Sequence, residues 1–371
     1  MIFLYIILAV LVLMLMIVIH ELGHYTVGKL LGFHINEFSI GFGPKIIGRR
    51  SKKSGELFSV RALPLGGYCS FYGEDDDASD TLMSVGEFVS NADVSESDKR
   101  LTFTRQKPWK RILVLLAGAG FNLFSAFLFS FIYIIAVGYT VPTVQDLYEN
   151  PDNGEPYASG LADGDRITAV DGISIGVLDS FTELTGGLTD GDGVVLTVER
   201  DGEYFDVPVT KRKMLVSDGN GGYTESSLIG IRISYETVNV SFFEAVGLSF
   251  PFTFKMAGMV FASFGQLITG RVPITSLTGP VGTVTAIATM AETGWQYLLL
   301  LLPLIASNLA IFNLLPVPSL DGARVIFTAI EWIRKKPINR TVEAYIHGIG
   351  LALLLGFVVV VDIIGIFSRF I

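Results

Sequence analysis

Apolar residues run almost unbroken from position 1 to 19, and the run then closes on VIHELGHYTVGKL, residues 18–30. Crossing a bilayer takes about 20 helical residues, and three runs qualify at once: 1–19, 112–137 and 295–315. A fourth, 349–367, qualifies because Asp362 falls in its last turns, within reach of an interface. The stretch 242–268 is interrupted by Glu244, Pro251 and Lys255, which predicts an interfacial or partly re-entrant amphipathic helix. Period-two patterning appears in between. Residues 158–175 alternate about Ile167 and Val170 before an Asp171-Gly172 turn, and 193–209 repeat this with Asp201-Gly202 between two strands. Residues 56–72, ELFSVRALPLGGYCSFY, read as two short strands around a Pro-Leu-Gly-Gly turn, a β-hairpin after the first span.

These elements predict a polytopic α-helical membrane protein of about four spans with an inserted α+β domain. Residues 1–140 hold spans one and two with the hairpin, 141–215 the inserted domain, 216–290 a linker with the amphipathic helix, and 291–371 spans three and four. Lys45, Arg49, Arg50, Lys52, Lys53 and Arg61, then Lys99, Arg100, Arg105, Lys107, Lys110 and Arg111, fill the loop between the first two spans. By the positive-inside rule that loop is cytoplasmic, so both termini and the inserted domain are extracytoplasmic. MIFLYI has no basic n-region and no small-residue cleavage site follows, so a cleaved signal peptide is not expected.

Composition agrees: 50% of the 371 residues are hydrophobic and 17% charged. The formal net charge of −9 excludes a phosphate-binding surface and with it nucleic acid as a partner. Cys69, the single cysteine, reads as a small apolar residue. EDDDASD, residues 74–80, lacks the spacing and closing glutamate of a calcium loop and reads as a solvated acidic loop.

Chemistry enters with HELGH. On a helix His20 and His24 project about 40° apart, close enough for both imidazoles to hold one zinc ion, with Glu21 on the adjoining face. The glutamate is then placed to take a proton from water whose pKa the ion lowers. Ionisable side chains at membrane depth are costly unless paired or functional, which favours chemistry over chance spacing. Gly23, unfavourable in a helix, allows another segment to come close. Such a site needs a third protein ligand. FNLLPVPSLDGARV, residues 312–325, offers Asp321: Pro316 and Pro318 break the third span there, and irregular backbone at membrane depth persists only where protein or water covers it. Asp321 also suits an N-cap for the helix that follows. His34 and His347 have no partner at helical spacing and are not assigned to the metal.

HELGH in a first span, the following GFGPKI, NLLPVPSLDG in the third and an intervening extracytoplasmic domain together resemble the site-2 protease family of intramembrane zinc metalloproteases, in its bacterial RseP/RasP branch. The resemblance implies zinc ligands His20, His24 and Asp321, with Glu21 as general base. It also points to Asn308 and Asn313 as polar positions that engage substrate, where interhelical hydrogen bonding competes as a role. The inserted domain resembles one PDZ domain, where some relatives carry two. The family has a membrane-associated hairpin at residues 56–72, whose edge at Gly66, Gly67 and Tyr68 would pair with unwound substrate. Two positions depart from the pattern: Ala323 replaces a second glycine after Asp-Gly, and AGAGFN, residues 117–122, lacks a usual proline.

The expected function is cleavage of single-pass membrane proteins or remnant signal peptides in a bacterial plasma membrane. The resemblance adds regulated proteolysis, anti-sigma factors as substrates and an upstream site-1 protease as partner. Two rivals remain: a noncatalytic, membrane-tethered PDZ adaptor with a structural metal, and a membrane-bound zinc protease for soluble misfolded proteins.

Overall fold

The computed structural model describes residues 2–74, 102–149, 155–217, 223–273 and 277–367, so most of the acidic stretch 74–80 lies outside the described residues. Helix α1 (Ile2–Leu30) leads into strands β1 (Ile35–Arg50) and β2 (Leu57–Phe71), a 3-10 turn at Phe103–Arg105, and helix α2 (Pro108–Val137). Strands β3 (Tyr139–Leu147), β4 (Arg166–Val170) and β5 (Ile173–Ser174) precede the short helix α3 (Phe181–Gly186). Then come β6 (Gly193–Arg200), β7 (Glu203–Thr210), β8 (Arg212–Ser217), β9 (Tyr223–Leu228) and β10 (Ile231–Val238). Helices α4 (Phe242–Ile268), α5 (Pro280–Thr293), α6 (Trp295–Leu314), α7 (Asp321–Arg334) and α8 (Arg340–Phe367) follow. The chain divides into two units, residues 1–130 with 256–371, and residues 131–255.

Among the described helices five are long and apolar enough to cross a membrane: α1, α2, α6 and α8, which are the four expected spans, and α4. The additional one is α4, which stays helical through Pro251. Proline removes a donor and crowds the carbonyl four residues back, here that of Gly247, which has no side chain to add to the crowding. The Ser249 and Thr253 hydroxyls bond the carbonyls of Ala245 and Ser249 at 2.5 and 2.7 Å on either side.

In the first unit small residues set the packing. Ala9 of α1 meets Ile287 and Ala288 of α5, while Val12 and Met16 meet Ala126 of α2 and Ala306 of α6. Apolar tails solvate helices as well as leucine does, so close backbone approach rather than burial from water holds such helices together.

The expected hairpin at 56–72 is corrected by the register of β1 and β2. Its two strand segments do not pair with each other, because residues 37–40 lie between them. Ile40 sits opposite both Gly67 and Val60, Ser39 opposite Tyr68 and Ser59, and the outer part of β1, 45–50, pairs with 57–61 on its far side. The lateral order is therefore 45–50, 57–61, 37–40, 67–71, which leaves 67–71 as an edge. Gly41 and Gly43 make this possible, with φ of 89° and 81° that turn β1 back on itself. A Cβ at Gly41 would also lie 2.7 Å from the Leu63 carbonyl oxygen.

A buried ion pair braces this sheet. Arg61 donates to Glu37 at 2.8 Å and to the Gly43 carbonyl at 2.9 Å, and Ser59 donates to Glu37 at 2.6 Å. Burial works against the Glu37 charge, but the bonds from Ser59 and Arg61 outweigh it and hold the carboxyl below its ordinary range.

In the second unit the sheet order is β10-β3-β4-β6-β7, with β5 on β4. Its core is Val144, Ile167, Leu196, Val198 and Val207, capped by Phe181 of α3. Asp171-Gly172 and Asp201-Gly202 form the expected turns, all four residues at positive φ. The sheet reaches beyond 141–215, since β10, inside the expected linker, pairs with β3 from Ile231 opposite Leu147 to Val238 opposite Tyr139. Only Ile231 of β10 is fully buried, so its sequence carries little alternation. Asp165, buried, accepts two bonds from Arg200 at 2.6 and 2.7 Å across the sheet.

Glu37→Ala strands the Arg61 guanidinium in the sheet and is expected to cost about 3–5 kcal/mol of local stability. Hydrogen exchange in β1 and β2 of the full-length protein measures it. Because the folded carboxyl is depressed, its contribution is complete above the ordinary carboxylate pKa and lost as pH falls through the folded value, so exchange there rises on acidification in wild type but not in Glu37→Gln.

Candidate metal centre

Helical spacing puts His20 and His24 on one face of α1, and α2 crosses that face where neither helix has a side chain. A Cβ on Gly118 would stand 2.7 Å from His20 Nε2, and one on Gly23 would stand 2.8 Å from the Ala117 carbonyl carbon. The third element arrives by a break. Helix α6 ends at Leu314, and α7 begins at Asp321 with Leu320 as its N-cap and no side-chain cap bond. The carboxylate, free of capping, reaches the histidines: Asp321 Oδ2 lies 3.0 Å from His20 Nε2 and 3.2 Å from His24 Nε2. The two Nε2 atoms are 3.2 Å apart.

These spacings fit a metal. Ligands about 2.0–2.1 Å from a tetrahedral zinc stand about 3.3–3.4 Å from one another, and two imidazoles with one carboxylate leave a fourth position open. The outer contacts agree. His24 Nδ1 donates to the Val114 carbonyl of α2 at 2.8 Å, which leaves its Nε2 lone pair for the ion. His20 Nδ1 lies 3.1 Å from the carboxamide of Asn122, fully buried on α2, whose Oδ1 is otherwise unpartnered. A half-turn of that amide presents Oδ1 to His20 Nδ1–H, and one move satisfies the orphaned oxygen and leaves Nε2 metal-facing.

A cavity of about 370 Å³ opens beside this cluster, lined among others by Glu21, Gly66, Gly67, Tyr68, Asn313 and Asp321. The edge 67–71 forms one wall. A Cβ on Gly67 would lie 3.3 Å from Glu21 Cγ, and the Cys69 amide hydrogen-bonds the Glu21 carboxylate. Glu56 ties the sheet to the last turns of α1 through Lys29 at 2.9 Å and Tyr25 at 3.1 Å. Burial and the neighbouring Glu37 carboxylate push the Tyr68 phenol up to about 12, so it stays a neutral donor. At its far end α7 is clamped by Glu331, bonded to Arg111 of α2 at 2.6 Å and Arg340 of α8 at 2.8 Å.

The Peptidase family M50 model matches residues 8–357. The chain belongs to this family, the site-2 proteases. A relative in Agrobacterium fabrum is 32% identical over 362 residues, covering 96% of this chain and 93% of that protein. One in Brucella suis is 30% identical over 352 residues, covering 93% and 90%. The zinc metalloprotease RasP of Geobacillus kaustophilus is 29% identical over 406 residues, covering 92% and 93%. The first two also carry zinc-metalloprotease names. The M50 chain is therefore a zinc metalloprotease with several helices fit to span a membrane and an added β-sheet region.

Of the residues expected at the site, His20, Glu21, His24, Gly66, Gly67, Tyr68, Asn313 and Asp321 line this same cavity. Asn308 does not line it and is exposed on α6. Asn122, the Val114 carbonyl and Gly118 were not expected there; the small-residue run AGAGFN, 117–122, held the signal for Gly118 and Asn122, visible as a departure from a pattern but not as a contact, and Val114 lies outside it. Asn122→Ala is expected to weaken zinc retention about 10–100-fold against a chelator, whereas Asn122→Asp, which keeps an acceptor for His20 Nδ1–H, retains most of it.

Proposed function

We propose that the chain is an intramembrane endopeptidase whose zinc ligands are His20, His24 and Asp321 and whose general base is Glu21, cutting transmembrane segments of single-pass proteins or remnant signal peptides. The observation that carries this reading is the convergence of Asp321 Oδ2 on both histidine Nε2 atoms at 3.0 and 3.2 Å, beside a glutamate and a strand edge.

Zinc, when bound, supplies Lewis acidity that makes water nucleophilic near neutral pH and polarises the peptide carbonyl. Glu21 takes the proton from the attacking water and returns it to the leaving amine. A helical substrate has its backbone groups already paired, so it must unwind before attack. The edge at Gly66, Gly67 and Tyr68 offers backbone partners to the unwound segment and holds it extended across Glu21. Asn313, whose amide donates to the Leu309 carbonyl at 2.9 Å, faces the same cavity and is assigned to substrate contact.

Helix direction supports four crossings. Both α1 and α6 approach the metal centre with their C-terminal ends and α2 with its N-terminal part, so the chain between α2 and α6 begins and ends on one side of the membrane. A crossing by α4 would need a return, and the 14-residue α5 is too short to supply it. We assign α4 as re-entrant: Phe264, near its C-terminal end, meets Phe312 near the inner end of α6 at 5.8 Å. With basic loops inside, both termini and the 131–255 unit lie outside a bacterial plasma membrane. The antiparallel sheet with its two Asp-Gly turns and one short helix supports a single PDZ-like domain, which filters substrates already trimmed by a site-1 protease. Anti-sigma factors are the substrate type that the family resemblance favours.

Glu21→Gln tests the reading. Zinc content is expected to stay at the wild-type level while cleavage of a transmembrane substrate falls at least about 10²–10⁴-fold. Retained biological activity would instead favour an adaptor with structural metal, and casein cleaved as fast as the transmembrane substrate would favour a protease for soluble proteins.

A further inference from the structure

The turn that delivers Asp321 is held by a histidine for which the hydrolytic chemistry has no role. Within residues 315–320 Ser319 has φ of 82°, a left-handed conformation that side chains other than glycine rarely adopt. Such backbone persists only where its surroundings over-determine it. Here the Ser319 amide donates to Nδ1 of His347, on α8, at 2.9 Å. The His347 ring lies against Phe327 of α7, centroids 5.5 Å apart. Three residues along α8 comes Gly350, where a Cβ would stand 3.0 Å from the Pro318 carbonyl oxygen, so α8 presses on the turn at two points. From the other side Gly322 abuts the Leu314 and Leu315 carbonyls, and the turn has little room to relax.

The hydrogen-bond inventory sets the tautomer. An Nδ1 that accepts an amide N–H carries no proton, so the neutral ring keeps its hydrogen on Nε2. That Nε2 is buried and without a partner, as is the Ser319 hydroxyl. A buried imidazole with its donor unspent is costly, and the bond it makes is the one to the turn.

We infer that His347 is a positioning residue for the metal centre: by accepting the Ser319 amide it locks the left-handed turn two residues before Asp321 and so aims that carboxylate at His20 and His24. It touches neither metal nor substrate. The inference rests on Asp321 being a zinc ligand, and it makes metal affinity depend on the seating of α8.

Full-length wild type, His347→Leu, His347→Asn and His347→Leu/Ser319→Gly are compared by two readouts: hydrogen exchange of the segment 315–322 in metal-free protein, and zinc retention against a chelator. Leucine removes the acceptor, and is expected to speed exchange and weaken zinc about tenfold or more. Asparagine places Oδ1 where Nδ1 stood and is expected to remain close to wild type on both. Glycine at 319 adopts positive φ without strain, so the double variant is expected to recover zinc retention although its acceptor is gone. Wild-type behaviour of His347→Leu, an asparagine variant as impaired as the leucine one, or a double variant that stays misfolded or unrescued would each overturn the inference. An Asp321→Ala control that kept its zinc would instead sink the ligand assignment, while the exchange readout would still test His347.

Discussion

Gly23 and Gly118 let α1 and α2 cross so closely that neither position has space for a methyl group. The geometry of the candidate metal centre depends on that contact. With α2 pressed onto the HELGH face, the Val114 carbonyl and the Asn122 carboxamide reach the Nδ1 atoms of His24 and His20, and both Nε2 atoms turn toward one point. In lipid, apolar side chains gain little by meeting one another, so an approach through glycines provides dispersion contact and lets polar groups find partners. The glycines cost helix propensity, and the crossing compensates for it.

Around this crossing the chain solves the problem of bringing Asp321, 297 residues beyond His24, onto both histidines. Two prolines end α6, the next helix starts at Asp321 itself, and Glu331 at the other end of α7 is clamped by arginines from α2 and α8. A carboxylate on such an element is fixed at both ends. The same economy governs the sheet. Its ion pair Glu37–Arg61 lies between strands, not at the edge, so no ion pair stands between the 67–71 edge and the cavity wall it forms.

How much of this was legible depends on whether the signal was local. His20, Glu21 and His24 share one helix turn, so spacing alone located them, and the double-proline break marked Asp321 because such backbone is costly in a membrane. Asp171-Gly172 and Asp201-Gly202 were legible for the same reason: a two-residue turn announces itself. Insertion of 37–40 between the segments on either side of Pro64 was not legible, since nothing in 56–72 encodes a partner from β1. Strand β10 was hidden by its position at a sheet edge, where alternation fades. Asn122 sat in an apolar helix, where a lone amide has too many roles to be assigned without its neighbours. The extent of α4, 242–268, was legible despite Pro251, and the hydroxyl back-bonds on either side of that proline accompany a helix that runs through it.

The central claim is that two imidazoles from α1 and one carboxylate from α7 hold the zinc. X-ray absorption at the zinc edge of the purified, active protein tests it most directly. Only nitrogen and oxygen scatterers at about 2.0–2.1 Å, two of them imidazoles, with the carboxylate contribution lost on Asp321→Ala, is the result the account predicts. A spectrum that is unchanged by that substitution, or that requires a sulfur ligand, would contradict it.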